Sequence, residues 1–156
     1  LDEPSVGVDP VSRAELWALV RSLAGDGTGI VWATSNLDEA DRCDRIVMLH
    51  EGRVLAEGPP GRIAAAMAGR VWRLALEGTR ARRVLAAALA APDVIDATVQ
   101  GASVRVVVTP EAKPPFEGAL AQINVQPLST APPRLEDAFI DALGGARLAP
   151  SPLTTA

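Results

Sequence analysis

The chain has 156 residues, of which 48% are hydrophobic and 22% charged, so it is long and apolar enough to bury a core. It holds no apolar run near the roughly 20 residues that cross a bilayer and opens with no basic-then-apolar segment, so we expect neither a membrane-spanning nor a secreted protein. Its net charge of −4 and 3% aromatic residues disfavour a nucleic-acid partner. One cysteine and one histidine predict neither a disulfide framework nor a zinc site, which favours a cytoplasmic location.

The first ten residues predict the end of a buried strand, a loop and the start of a helix. The chain opens on Leu1-Asp2-Glu3-Pro4, without a methionine, as expected of a fragment of a longer protein. Asp9 is placed to cap the helix, because its carboxylate can accept from free amide groups of the first turn. Pro10 suits the first helical position, where a missing N–H costs nothing.

Helices and strands then alternate up to about residue 69. Leucine and valine recur at helical spacing between residues 16 and 23, and the apolar run 29–33 predicts a strand buried on both faces, as in a parallel sheet. The turn residues Thr34-Ser35-Asn36 precede a short helix at 37–43, and the turn around Gly52 predicts a hairpin.

Residues 70–145 predict a second, small α+β domain. Strands are expected at 71–76, 94–99, 104–108 and 123–128, and helices at 80–91, 116–122 and 135–143. Val104, Val106 and Val108 alternate with Arg105 and Val107, which predicts a half-buried strand. Residues 146–156, rich in proline and small side chains, predict a linker or tail.

Asp2 and Glu3 carry the clearest chemical signal. An aspartate at the end of a buried strand can hold a magnesium ion through its water shell, and an adjacent glutamate can polarise a second water for attack on a phosphoryl group. From these residues alone, two solvated loop acids are an equally good interpretation.

Five features in order resemble the C-terminal half of an ABC transporter ATP-binding domain. They are the Asp2-Glu3 junction, the Asp9-Pro10 helix start, the apolar strand, the Thr34-to-Ala40 segment and the hairpin at Gly52. The resemblance implies an α/β fold for residues 1–69, the C-terminal part of a P-loop NTPase parallel sheet with flanking helices. Residues 70–145 resemble the C-terminal extension of the drug- and multidrug-export subfamily.

The resemblance also implies roles for four residues. Asp2 corresponds to the acid that holds Mg²⁺ through water, and Glu3 to the catalytic base. Asp9 corresponds to the aspartate that contacts the nucleotide site of an opposing domain across a head-to-tail dimer. Ser35 stands where the family has a histidine that reaches the γ-phosphate of ATP, and its short, uncharged side chain predicts slow hydrolysis at this site.

The implied function is that of the ATP-binding subunit of an exporter. It would hydrolyse ATP with Mg²⁺ on the cytoplasmic face of the inner or plasma membrane, with membrane-spanning permease subunits and a second ATP-binding domain, in a homodimer or in tandem, as partners. No G-x-x-x-x-G-K-[ST] phosphate loop occurs in the chain, so the fragment alone is expected to be inactive. The alternatives are a catalytically degenerate regulatory domain and a soluble ABC-type ATPase without a transport role.

Overall fold

The computed structural model describes residues 1–76, 81–112 and 127–143. The chain divides into two compact units, Leu1–Arg42 and Cys43–Ala156. The boundary that we predict near residue 69 lies within the second unit and stays a prediction. The predicted helix at 116–122, most of the predicted strand at 123–128 and the predicted linker at 146–156 lie outside the described residues.

The first unit contains helices α1 (Pro10–Gly25) and α2 (Leu37–Ala40). Asp9 caps α1 as predicted: its Oδ1 accepts from the amides of Val11 at 2.9 Å and Ser12 at 3.1 Å. The buried side chains of α1 are Trp17 and Val20. Trp17 stacks on Trp32 with ring centroids 4.3 Å apart, so one aromatic pair joins the helix to the segment before Ser35.

The prediction of a doubly buried strand at residues 29–33 is wrong. Only Ala33 forms a bridge, a parallel one with Asp2, and the Val31 side chain is 83% exposed. Backbone hydrogen bonds join one edge of this segment to residues 1–3. Among the described residues, no second strand pairs with its other edge. Because a strand becomes buried only when neighbours flank and cover it, the predicted parallel sheet is represented here by a single bridge.

The second unit contains two antiparallel sheets and three helices among its described residues. The hairpin β1 (Ile46–His50) and β2 (Arg53–Gly58) forms as predicted, and Gly52 in its turn has φ +74°, which favours glycine. The other elements are α3 (Pro60–Ala65), β3 (Val71–Ala75), α4 (Ala81–Ala90), β4 (Val94–Gln100), β5 (Ser103–Val108), β6 (Pro127–Thr130) and α5 (Leu135–Ala142). Strands β3 to β6 form a four-stranded sheet in the order β4-β5-β3-β6.

Every residue of β5 is buried, so the predicted half-buried strand is wrong. One face packs Val104, Val106 and Val108 against α4, and the other packs Val107 in a cluster that includes Ala138 of α5. The alternation in the sequence is real, but helices cover both faces of the strand. The charged residue on the second face, Arg105, is therefore buried and needs a partner.

Two ion pairs in the second unit involve α5. Arg105, 6% exposed at its side chain, donates from Nη2 to Asp137 Oδ2 at 2.5 Å and to the Pro132 carbonyl at 2.8 Å. Arg70 donates from Nη2 to Asp141 Oδ1 at 2.5 Å. The paired residues are 32 and 71 positions apart in the sequence, so these pairs tie α5 to β5 and to the segment before β3.

No helix among the described residues combines the length and the apolar character needed to cross a membrane.

Candidate functional site

The first three residues run alongside residues 31–33. The Leu1 carbonyl accepts from the Ala33 amide at 2.8 Å, and the Glu3 amide donates to the Ala33 carbonyl at 2.9 Å. Glu3 has φ +42°, in the left-handed region that non-glycine residues rarely adopt. Backbone strain of this kind needs support from its surroundings and occurs often at functional sites.

Glu3 and Ser35, the two residues assigned to catalysis by the sequence, lie together. The Ser35 amide donates to Glu3 Oε1 at 2.7 Å, across 32 residues of sequence. The hydroxyl of Ser35 is exposed and makes no hydrogen bond with the described residues. The contact therefore depends on the Ser35 backbone and leaves its side chain available.

Asp2 lies next to Glu3, in the segment that pairs with residues 31–33, and its side chain is exposed. It makes no hydrogen bond or ion pair with the described residues. Those residues contain no group of three or more metal-ligating side chains that could hold a metal ion without other ligands. One free carboxylate fits Mg²⁺ bound together with a nucleotide, since Mg²⁺ in such sites uses one or two carboxylates, waters and substrate phosphates.

Asp9 is exposed at the start of α1, and its only described contacts belong to the helix cap. Hydrogen bonds from the Ser12 side chain and amide, together with the Val11 amide, hold the pKa of the Asp9 carboxyl below its ordinary value of 3.8. The carboxylate is therefore ionised at neutral pH. The helix-capping role is observed, and the predicted contact with an opposing domain stays a prediction.

Glu39, in α2, is a residue that the sequence analysis does not single out. It is 2% exposed, and its Oε2 accepts from Thr34 Oγ1 at 2.9 Å and from Trp32 Nε1 at 3.2 Å. Four acids occur between residues 38 and 44, and their spacing does not distinguish Glu39 from the exposed Asp38. Only the tertiary packing separates them.

The environment of Glu39 favours the ionised form. Burial raises the pKa of its carboxyl, but hydrogen bonds from Ser5, Thr34 and Trp32, with the positive charge of Arg13, outweigh that effect and leave the pKa below 4.5. Two donors of the preceding segment, Trp32 and Thr34, thus stabilise this buried carboxylate.

Comparison with known proteins yields no matching family model. Among curated proteins, the probable multidrug ABC transporter ATP-binding protein YbhF of Escherichia coli is 44% identical over 156 residues, covering 98% of this chain and 26% of YbhF. The chain belongs to the family of ABC transporter ATP-binding proteins. The resemblance inferred from the sequence is therefore confirmed.

Two further ABC relatives match shorter parts of the chain. The daunorubicin/doxorubicin resistance ATP-binding protein DrrA of Streptomyces peucetius is 43% identical over 83 residues, which are 53% of this chain and 25% of DrrA. The Nod factor export ATP-binding protein I of Neorhizobium galegae is 49% identical over 61 residues, 38% of this chain and 18% of that protein. The matched residues span about a quarter of the length of YbhF and of DrrA.

Proposed function

We propose that this chain is part of the ATP-binding subunit of an ABC exporter of the drug or multidrug type. The intact protein would hydrolyse ATP to drive transport through membrane-spanning permease subunits, on the cytoplasmic face of the membrane. The observation that carries this proposal is the hydrogen bond from the Ser35 amide to Glu3, which joins the two residues to which the resemblance assigns catalytic roles. The names and the 44% identity of the relatives give it further support.

Glu3 is the proposed general base. Its Oε1 is held by the Ser35 amide, and its Oε2 makes no hydrogen bond with the described residues. One oxygen can therefore fix the orientation of the carboxylate while the other accepts a proton from the attacking water. Positioned proton acceptors of this kind typically contribute a factor of about 10² to 10⁴ in rate.

Asp2 would hold the magnesium ion through water, in the shell around ATP. When bound, Mg²⁺ would neutralise the negative charge that develops on the phosphate oxygens during phosphoryl transfer. The exposed, unpaired carboxylate of Asp2 suits this role, because no described residue competes for its oxygens. In the intact protein, phosphate-binding groups would have to come from residues beyond this chain.

Asp9 is the proposed contact with a second ATP-binding domain. Its described hydrogen bonds use Oδ1, and its carboxylate is exposed and ionised. The cap and the contact are compatible, because the second oxygen can accept from an opposing domain while the first keeps the helix start in place.

The test is Glu3→Gln in the intact protein, with any second ATP site inactivated. The amide keeps the size of the side chain but cannot take the proton, so ATP binding should persist and hydrolysis should fall by about 10² or more. Glu15→Gln, which changes an exposed glutamate of α1, is the matched control and should hydrolyse at the parent rate. Parent-rate hydrolysis by Glu3→Gln would contradict the base assignment.

Ser35 supports a second candidate, a domain that keeps the fold for a regulatory or structural role without turnover. Its hydroxyl cannot supply the positive charge or the reach of the family's histidine. ATP binding without hydrolysis, unchanged by Glu3→Gln, would favour this candidate. A soluble ABC-type ATPase is the third, and copurification of the intact protein with a membrane-spanning partner would argue against it.

A further inference from the structure

Glu39 holds the segment that pairs with Glu3. Its Oε2 accepts from Trp32 Nε1 at 3.2 Å and from Thr34 Oγ1 at 2.9 Å. These two residues flank Ala33, whose carbonyl accepts from the Glu3 amide at 2.9 Å. The Glu39 carboxylate is thus a polar bridge between Trp32 and Thr34, beside the Glu3 to Ser35 hydrogen bond.

The bridge continues into the backbone of the Ser35 loop. Thr34 Oγ1 donates to Glu39 and accepts from the Asn36 amide at 3.0 Å, while the Asn36 side chain accepts from the Asp38 amide at 3.0 Å. The peptide that contains the Ser35 N–H is therefore fixed from both sides. Glu39 lies at the buried end of this chain of hydrogen bonds.

We propose that Glu39 is a positioning residue for catalysis: its buried carboxylate fixes the segment that carries Ser35, so that the Ser35 amide orients the Glu3 carboxylate. Glu39 touches neither nucleotide nor water in this role and acts through Trp32 and Thr34. The inference rests on the proposed function of Glu3 as the general base.

The physical argument is the sensitivity of proton transfer to geometry. A displacement of about 1 Å in a catalytic group can cost about 10² in rate. Glu3 is held in a left-handed backbone conformation, so it relies on its neighbours to keep its position. Removal of the Glu39 carboxylate would leave Thr34 Oγ1 and Trp32 Nε1 without their acceptor and release the segment that carries the Ser35 amide.

The experiment compares Glu39→Ala, Glu39→Gln and Asp38→Ala in the intact protein, with any second ATP site inactivated. Glu39→Ala should lower kcat by about 10- to 100-fold and leave the KM for ATP within about twofold, measured well below the unfolding temperature of the variant. Glu39→Gln keeps an oxygen acceptor for Thr34 and Trp32, so it should recover most of kcat. Asp38→Ala removes an exposed neighbouring carboxylate and should keep the parent kcat.

A double-mutant cycle with Glu3→Gln separates positioning from general destabilisation. If Glu39 acts through Glu3, Glu39→Ala should lower the residual rate of Glu3→Gln by much less than it lowers the parent rate. Independent, additive losses would overturn the inference, as would a lowered unfolding temperature with unchanged kcat. If Glu3→Gln hydrolyses ATP at the parent rate, that result would instead refute the proposed function.

Discussion

The Ser35 amide lies 2.7 Å from Glu3 Oε1, so the residue proposed to occupy the family's histidine position contacts the proposed base through its backbone. This arrangement would be available to any residue at position 35 except proline, because only the N–H takes part. The side chain is left to interact with substrate. Substitutions at position 35 can therefore test side-chain chemistry without removing the Glu3 contact.

Ser35→His should raise the rate of γ-phosphate release at this site in the intact protein. An imidazole can reach further and carry positive charge, and contributions of this kind are commonly worth about 10² to 10³ in rate. Single-turnover kinetics with any second ATP site inactivated give the measurement. Ser35→Ala is the control and should match the parent rate. An unchanged or lower rate in Ser35→His would mean that the serine belongs to an adapted mechanism.

Residues 1–156 alone should bind Mg-ATP weakly or not at all. The sequence contains no glycine-rich loop with a following lysine, and its single lysine is Lys113, which lies outside the described residues. Without a cradle of backbone amides, Asp2 and Glu3 place negative charge near the phosphates and offer no donor side chain. Calorimetric titration measures the affinity. Micromolar, magnesium-dependent binding would refute the proposed roles of both acids.

The buried ion pair between Arg105 and Asp137 predicts an asymmetric response to mutation. Asp137→Ala should destabilise the second unit by about 3 to 5 kcal/mol, because it leaves the Arg105 charge buried without its partner. The double variant Arg105→Met with Asp137→Leu should be less destabilised than Asp137→Ala, since no unpaired charge remains. Amide hydrogen exchange in β3 and β5 measures both effects.

The control for the ion-pair prediction is the exposed neighbour Glu136. Glu136→Ala should change the exchange free energy by about 0.5 kcal/mol or less, as is usual for surface substitutions. Equal losses in the single and double variants would contradict the prediction.

The lowered pKa of Glu39 predicts acid sensitivity in the first unit. Because the folded pKa lies below the ordinary value of 4.5, the ionised carboxylate contributes its full stability above pH 4.5 and loses it as the pH falls toward the folded pKa. Urea unfolding in a Trp72→Phe background follows Trp17 and Trp32, the two remaining tryptophans, which lie in this unit.

Glu39→Gln should flatten that acid dependence, because the amide does not titrate. Asp38→Asn, at an exposed neighbour, should leave it almost unchanged. A Glu39→Gln variant that loses stability between pH 5 and pH 3 as steeply as the parent would show that other carboxylates are responsible.

The sequence by itself determined the local elements and the family. Cap chemistry at Asp9, the glycine turn of the β1–β2 hairpin and the apolar stripe of α5 depend on neighbouring residues, and each is found where the pattern predicts it. The order of short motifs from Asp2 to the hairpin also sufficed for the family, and the 44% identity to YbhF over 98% of the chain confirms it.

Only the tertiary structure decided which polar groups are buried and what they contact. Arg105 and Glu39 resemble solvent-facing residues in the sequence, yet partners in other segments stabilise them inside: Asp137 in one case, and Trp32 with Thr34 in the other. Residues 29–33 are the opposite case: the sequence predicts their burial, but among the described residues no second strand pairs with them and Val31 is exposed. A run of apolar residues records a preference for burial, while burial itself requires neighbouring elements that the run does not specify.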